Sequence, residues 1–277
     1  MPVSLDQLEK FLSKERAIEV RIVTVQGSSP RDVGAWMLVS ENAMLGTIGG
    51  GQLEYLMIDE ARRMLRNGVD QLEHDVPLGP EIGQCCGGHV KIKLNAIRKT
   101  EPIFHRLQNE LAVQPDVLIF GAGHVGKALA NALSLLPVDP ILIDQRANEL
   151  PHLEGVHTRH SILPERDVRT AKPGSAVVIL THDHALDFLI AGEALQRNDL
   201  AYVGMIGSKT KRAVFKNWLR ENEPVETSID NLICPIGGAQ VKDKRPEVIA
   251  ALVAAEIIWA LDARQNDKKE VWGEAHA

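Results

Sequence analysis

The sequence predicts an α/β protein in which a doubly wound parallel sheet follows a smaller N-terminal α+β domain. Three observations carry this expectation. From residue 116 onwards, short apolar runs alternate with amphipathic helical segments, as parallel βαβ units require. Gly121-Ala122-Gly123-His124-Val125-Gly126 lies directly between one such run and one such helix. An acid, Asp144, follows about 20 residues on, at the end of the next apolar run, which is the setting a dinucleotide fingerprint demands. The C-terminal part is therefore expected to be Rossmann-like. The expected boundaries are 1–98 for the N-terminal domain, 99–115 for a connecting helix and 116–277 for the Rossmann-like domain.

Taken in order, Ser4 is a suitable N-cap for a helix to about Lys14, with Leu5, Leu8, Phe11 and Leu12 on one face. Ala17–Val25 alternates as a strand that turns Ile18, Val20 and Ile22 to one side, with Thr24 a fourth candidate. A polar loop, Gly27–Gly34, leads to a strand at Trp36–Val39, and Ala43–Ile48 returns as its hairpin partner. After Gly49-Gly50-Gly51, Gln52–Arg66 reads as a helix with Leu53, Leu56, Met57, Ala61, Met64 and Leu65 inward. Gln71–Val76 and His89–Ile97 are strands flanking Gly79–Gly88, and Pro102–Gln114 is a helix that Pro115 stops.

In the second half, Val117–Phe120, Ile141–Ile143, Ala176–Leu180, Ala201–Ile206 and Leu232–Pro235 read as buried strands. The helix after the fingerprint keeps Val125, Leu129, Leu133 and Leu136 on one side. Further helices are expected from His184 to about Gln196, over Lys209–Glu221 and over Pro246–Arg264. Such a sheet presents its ligand-facing loops at the carboxyl ends of the strands.

Composition narrows the function. The chain has 277 residues, 44% hydrophobic and 25% charged, with a net charge of −6 and no basic run, which argues against a general nucleic-acid binder. The first residues lack a signal-peptide core and no stretch approaches 18 apolar residues, so a cytoplasmic protein with no membrane contact is expected. Of three cysteines, Cys85 and Cys86 are adjacent, which strains a disulfide between them, and Cys234 is distant. Free thiols in a reducing compartment follow.

The residues that could carry chemistry sit in loops. Gly121 permits the tight turn, Gly123 lets a phosphate approach bare backbone, and Gly126 lets helix and strand pack closely. The helix beginning at His124 would point free N–H groups at an anion, whether a dinucleotide or another phosphorylated ligand. Asp144 could accept from ribose hydroxyls, with Arg146 beside it. Cys85 and Cys86 lie in Gly83-Gln84-Cys85-Cys86-Gly87-Gly88, where backbone amides can stabilise a thiolate or a neighbouring anion. The alternative is a pair of unreactive half-buried residues. No second CxxC or HxxxH supports zinc.

Gly49, Gly50 and Gly51 can form an anion-binding nest, or let two backbones pass, and Arg31 adds a charge in the preceding loop. His182, Asp183, His184 and Asp187 stand where such a sheet places functional groups, for metal or acid–base work or for capping and hydrogen bonding at the helix start. Ser208 as an N-cap, followed by Lys209, Lys211 and Arg212, can reach a phosphate or belong to a solvated helix face.

Seven segments together resemble the xanthine dehydrogenase accessory protein family. They are Gly27–Val39, Gly46–Glu54, Gly83–Gly88, Phe120–Ala130, Thr181–Asp187, Tyr202–Arg212 and the CPIGG stretch with the helix ending AAEIIWA. The resemblance runs in order over nearly the whole chain. It implies a protein, more a chaperone than an enzyme, that binds the molybdenum cofactor (molybdopterin) and helps load its sulfurated form into the xanthine dehydrogenase apoenzyme.

Cys86 stands at the family's cofactor-holding cysteine, with Cys85 its neighbour and the molybdenum as its implied metal. The resemblance further implies a cysteine desulfurase as sulfur donor and self-association into a homo-oligomer. One departure is Gly238-Ala239, where the family pattern has Leu-Asp, so no ligand contact is assigned there. Two rival readings stand beside it. One is an NAD(P)-dependent oxidoreductase with Asp144 on the ribose and His182 or His184 as acid–base group. The other is a sulfur carrier with a persulfide on Cys85 or Cys86.

Overall fold

The computed structural model describes residues 3–79, 87–222, 227–238 and 241–274, the last ten of them by backbone only. The chain divides into two compact units, Met1–Ala112 and Val113–Ala277. The fold is α/β, with a parallel Rossmann-like sheet in the second unit and a separate antiparallel sheet in the first.

The first unit is built on strands β1 (Ile18–Gln26), β2 (Trp36–Val39), β3 (Met44–Gly46), β4 (Gln71–Pro77) and β5 (His89–Ala96), with helices α1 (Leu5–Leu12), α2 (Gly51–Asn67) and α3 (Glu101–Ala112). The strands pair antiparallel in the order β3-β2-β1-β5-β4. Alternation turns Ile18, Val20 and Ile22 towards α2, where Leu53, Met57, Ala61 and Met64 complete a core. The opposite face holds Leu38 against Leu8 of α1 and against Ile103 and Leu107 of α3.

Two expectations change here. The register slips between Ile22 and Thr24, so Val25 and not Thr24 reaches the core. On α2, Ile58 is buried whereas Leu56 is 39% exposed, because the inward stripe passes through Leu53, Met57, Ile58, Ala61 and Met64. Ser4 caps α1 as expected, in a reciprocal capping box with Gln7. Arg106 fastens α3 to the sheet: it pairs with Glu19 of β1, and its guanidinium lies 5.6 Å from the centre of the Trp36 ring.

The second unit contains β6 (Asp116–Phe120), α4 (His124–Leu133), β7 (Asp139–Asp144), β8 (His157–His160), α5 (Pro164–Arg169), β9 (Ala176–Ile179), α6 (His184–Leu195), β10 (Tyr202–Met205), α7 (Lys209–Asn222), β11 (Leu232–Ile233) and α8 (Pro246–Glu274). Every pairing is parallel, in the order β11-β10-β9-β6-β7-β8. The winding reverses between β6 and β9, the switch point at which such sheets open a crevice. Leu118 and Phe120 pack with α6 and α7 on one face, and Val117 and Ile119 with α4 and α8 on the other. Among the described residues no helix is long and apolar enough to cross a membrane.

Sequence reading did not resolve β8 or α5. His157-Thr158-Arg159-His160 is exposed throughout at the sheet edge, so it carries no apolar signal, and α5 spans only 6 residues. A Cβ on Gly126 would fall 1.9 Å from the Gly121 carbonyl oxygen, whereas one on Gly123 meets nothing within 4 Å. Gly126→Ala is therefore expected to destabilise the fold by about 1–3 kcal/mol or more, and Gly123→Ala to stay within about 0.5 kcal/mol of wild type, as read from urea midpoints.

Candidate functional site

Three loops of the first unit meet at one end of its sheet. Gly27, just after β1, takes φ +73°, and a Cβ there would sit 3.2 Å from Cα of Gly88. A Cβ on Gly88 would fall 2.0 Å from the Ser28 carbonyl oxygen, so these two backbones can be this close only as glycine. Gly49 backs in the same way onto Pro30 and Arg31, whose side-chain carbons lie 3.0–3.1 Å from its Cβ position. Gly50 and Gly87, also at positive φ, face open space.

The β4–β5 connection is closed by Leu78 N–H donating to the Gly88 carbonyl (2.8 Å) and Gly87 N–H to that of Leu78 (2.9 Å). Cys85 and Cys86 lie outside the described residues, immediately before that anchored pair of glycines. Arg31 is exposed, beside Gly49, and has no ion-pair partner among the described residues.

The glycine turn before α2 does gather amides around an anion, and that anion is the chain's own. Oε2 of Glu54 accepts from Thr47 Oγ1 (2.5 Å), Ile48 N–H (3.0 Å) and Gly50 N–H (3.1 Å). Gly49 N–H donates to Thr47 Oγ1 (3.1 Å). Sequence reasoning missed Glu54, although an acid in the first turn of a helix opened by three glycines is the signal that could have found it.

In the second unit Gly121 is buried at φ +114°, Gly123 is the N-cap of α4 without a side-chain cap bond, and His124 opens the helix exposed. A small crevice at the switch point is lined by Phe120, Gly121, Asp144, Thr181, His182 and Leu186 among others. The Asp144 carboxylate is buried and already occupied. Oδ2 accepts from Ala122 N–H (2.8 Å) and Arg146 Nη2 (3.1 Å), and Oδ1 from Arg146 N–H (2.9 Å) and Nε (3.0 Å). These bonds fill the roughly four acceptor positions of a carboxylate, leaving none for a ribose hydroxyl unless Arg146 moves. Burial raises the Asp144 pKa, but the bonds from Arg146 and Ala122 outweigh it and hold the carboxyl below its ordinary range.

The other sequence candidates resolve into local structure. Asp183 is the N-cap of α6, accepting from Ala185 N–H (2.8 Å), while His182 and His184 are exposed. Ser208 Oγ accepts from Lys211 N–H (3.2 Å) at the start of α7, and Lys209 is exposed. Among the described residues no group of three or more His, Cys, Asp or Glu could hold a metal ion.

Asp187 and Lys211, both candidates from the sequence, pair with each other, a contact the sequence reading did not foresee. Asp187, fully buried on α6, is ion-paired with Lys211 and accepts from Thr181 N–H (3.1 Å) and Oγ1 (2.6 Å). Lys211 also donates to the Ile206 carbonyl (3.0 Å). An acid on the inward side of the apolar helix HALDFLIAGEAL was the available signal. Cys234 is free and buried, and its burial pushes the thiol pKa up against the lowering influence of Lys211 and Arg212.

This is a two-unit chain with a doubly wound nucleotide-type fold and a glycine-loop cluster in its N-terminal unit. The model of the XdhC Rossmann domain matches residues 117–257, and that of the XdhC and CoxI family matches residues 12–75. The chain belongs to the XdhC-type family.

Among curated relatives from Escherichia coli (strain K12), the uncharacterized protein YqeB is 27% identical over 252 residues, covering 86% of this chain and 42% of YqeB. The molybdenum cofactor insertion chaperone PaoD is 29% identical over 99 residues, covering 35% of this chain and 31% of PaoD. The chain thus spans less than half the length of either. A Bacillus halodurans crystal structure described as a xanthine dehydrogenase superposes with a TM-score of 0.72 at 20% identity, over 94% of this chain and 96% of that one, a likeness of fold.

Because the folded Asp144 pKa is lowered, its contribution is fully present above the unfolded carboxylate pKa of about 4 and is lost as pH falls through the folded value. Wild type should exceed Asp144→Asn by about 1–3 kcal/mol from pH 5 to 8, with the gap closing on acidification below about pH 4. Urea titrations over that range check it. A gap that widens in acid contradicts it.

Proposed function

We propose that this protein is a maturation factor for a molybdenum hydroxylase: it binds molybdopterin and assists insertion of the sulfurated cofactor into a xanthine dehydrogenase apoenzyme. The observation that carries this reading is the convergence of Gly27–Ser28, Gly49–Arg31 and Gly87–Gly88 at one end of the first unit's sheet. Membership of the family supports it, as does likeness to a relative named as a molybdenum cofactor insertion chaperone.

The residues present suit such a guest. Molybdopterin joins a phosphate to a soft, sulfur-bound metal. Arg31, exposed and unpaired among the described residues, offers a cation to the phosphate. Gly50 and Gly87 offer backbone that a ligand can approach without meeting a Cβ. Cys86, with Cys85 beside it, supplies a soft thiolate donor suited to the metal or its sulfur. A cysteine desulfurase as sulfur source and a second copy of the chain complete the proposed partners.

The competing NAD(P)-dependent reading draws on the glycine fingerprint. The occupied Asp144 carboxylate weighs against its use of a plain ribose.

Protein purified from cells that make molybdopterin should carry it, as absorbance and mass spectrometry would reveal. A Cys85→Ala/Cys86→Ala variant should retain at least about tenfold less, with an unchanged urea midpoint. Undiminished retention by that variant would refute the role given to the cysteines. Failure of the loaded wild type to activate cofactor-free xanthine dehydrogenase would refute insertion.

A further inference from the structure

We propose that Glu54 reads the amino-pyrimidinone edge of the pterin, using the carboxylate oxygen that the glycine turn leaves open. The inference rests on the proposed binding of molybdopterin and concerns the same cluster of loops. All three donors that meet Glu54 converge on Oε2, from Thr47, Ile48 and Gly50. Among the described residues none meets Oε1.

The turn therefore fixes the carboxylate without using it up. Capping the turn needs one acceptor oxygen, which an amide side chain also carries, though without the charge that strengthens each bond. The sequence instead has a charged, acceptor-only group there, half-buried, with its second oxygen available.

Gly49 is the hinge of the arrangement. Its N–H bonds to Thr47, which bonds to Glu54, and its α-carbon backs onto Pro30 and Arg31. A cation and a carboxylate thus flank one glycine. Molybdopterin has matching ends: a phosphate, and a pyrimidinone ring whose ring N–H and exocyclic amino group are adjacent donors. A carboxylate oxygen complements those donors and opposes a carbonyl in the same place.

Pterin and lumazine separate the possibilities, because lumazine carries a carbonyl where pterin carries the amino group. Binding of each to the full chain is followed by quenching of the ligand's own fluorescence. Wild type is expected to prefer pterin by about tenfold or more, the worth of one hydrogen bond to a charged group. Glu54→Gln can keep its amide oxygen in the turn and present NH₂ outward, so the preference should fall below about twofold in a variant that still unfolds cooperatively in urea.

Equal wild-type affinity for the two ligands overturns the inference even if the variant does not fold, as does an unchanged preference in a folded Glu54→Gln. Either result leaves molybdopterin capture standing if wild type still purifies with the cofactor. Loss of that capture refutes the broader reading instead.

Discussion

Backbone amides released by tight glycine turns are the constraint on which both units depend. A strand that ends in glycines and passes straight into a helix leaves N–H groups without partners, and such groups need an anion or an acceptor. Here the chain provides one internally at each turn. Glu54 closes the turn between β3 and α2, and Asp144 closes the turn between β6 and α4. These side chains come from different places, one from the helix itself and one from the neighbouring strand, yet they perform the same local task. The turns are then rigid before any ligand arrives, which lowers the ordering cost of binding.

The two carboxylates differ in what remains of them. Asp144 is buried, takes two bonds on each oxygen, and is neutralised by Arg146. It is a structural clamp on the Rossmann turn. Glu54 is half-buried and bonded through one oxygen. The same contrast runs through the charged groups around them. Lys211 is enclosed with Asp187, whereas Arg31 stands exposed against Gly49. Asp144 and Asp187 in the second unit are thus committed to the fold, whereas in the first Arg31 and one oxygen of Glu54 have no described partner.

The architecture was legible because both sheets follow strong periodic patterns. Val117–Phe120 and Ala176–Ile179 are apolar on both faces, and β1 alternates cleanly up to its bulge. What escaped lacks an apolar signature or depends on partners distant in sequence. β8 is a polar edge strand that only its pairing with β7 defines. Lys211 and Asp187 meet across 24 residues. The glycines of the candidate site were visible as a composition, but which of them permit close packing and which face open space depends on where other loops pass. Gly88 is filled by Ser28 and Gly49 by Pro30, while Gly50 and Gly87 are bare. Sequence could identify ligand-competent loops and held a signal for Glu54, but only the contacts show that this glutamate fills the nest.

Cys234 lies on the committed side of that division. A thiol acts as nucleophile or metal ligand only as thiolate, and burial at Cys234 favours the neutral form despite nearby Lys211 and Arg212. Its surroundings are those of a small core residue at the end of β11. Cys85 and Cys86 are followed instead by Gly87 and Gly88, the first facing open space and the second pressed onto Ser28. The role proposed for the two cysteines asks that the chain beside them be held in one place. The bonds between Leu78 and the two glycines supply that anchor on the C-terminal side of the cysteines.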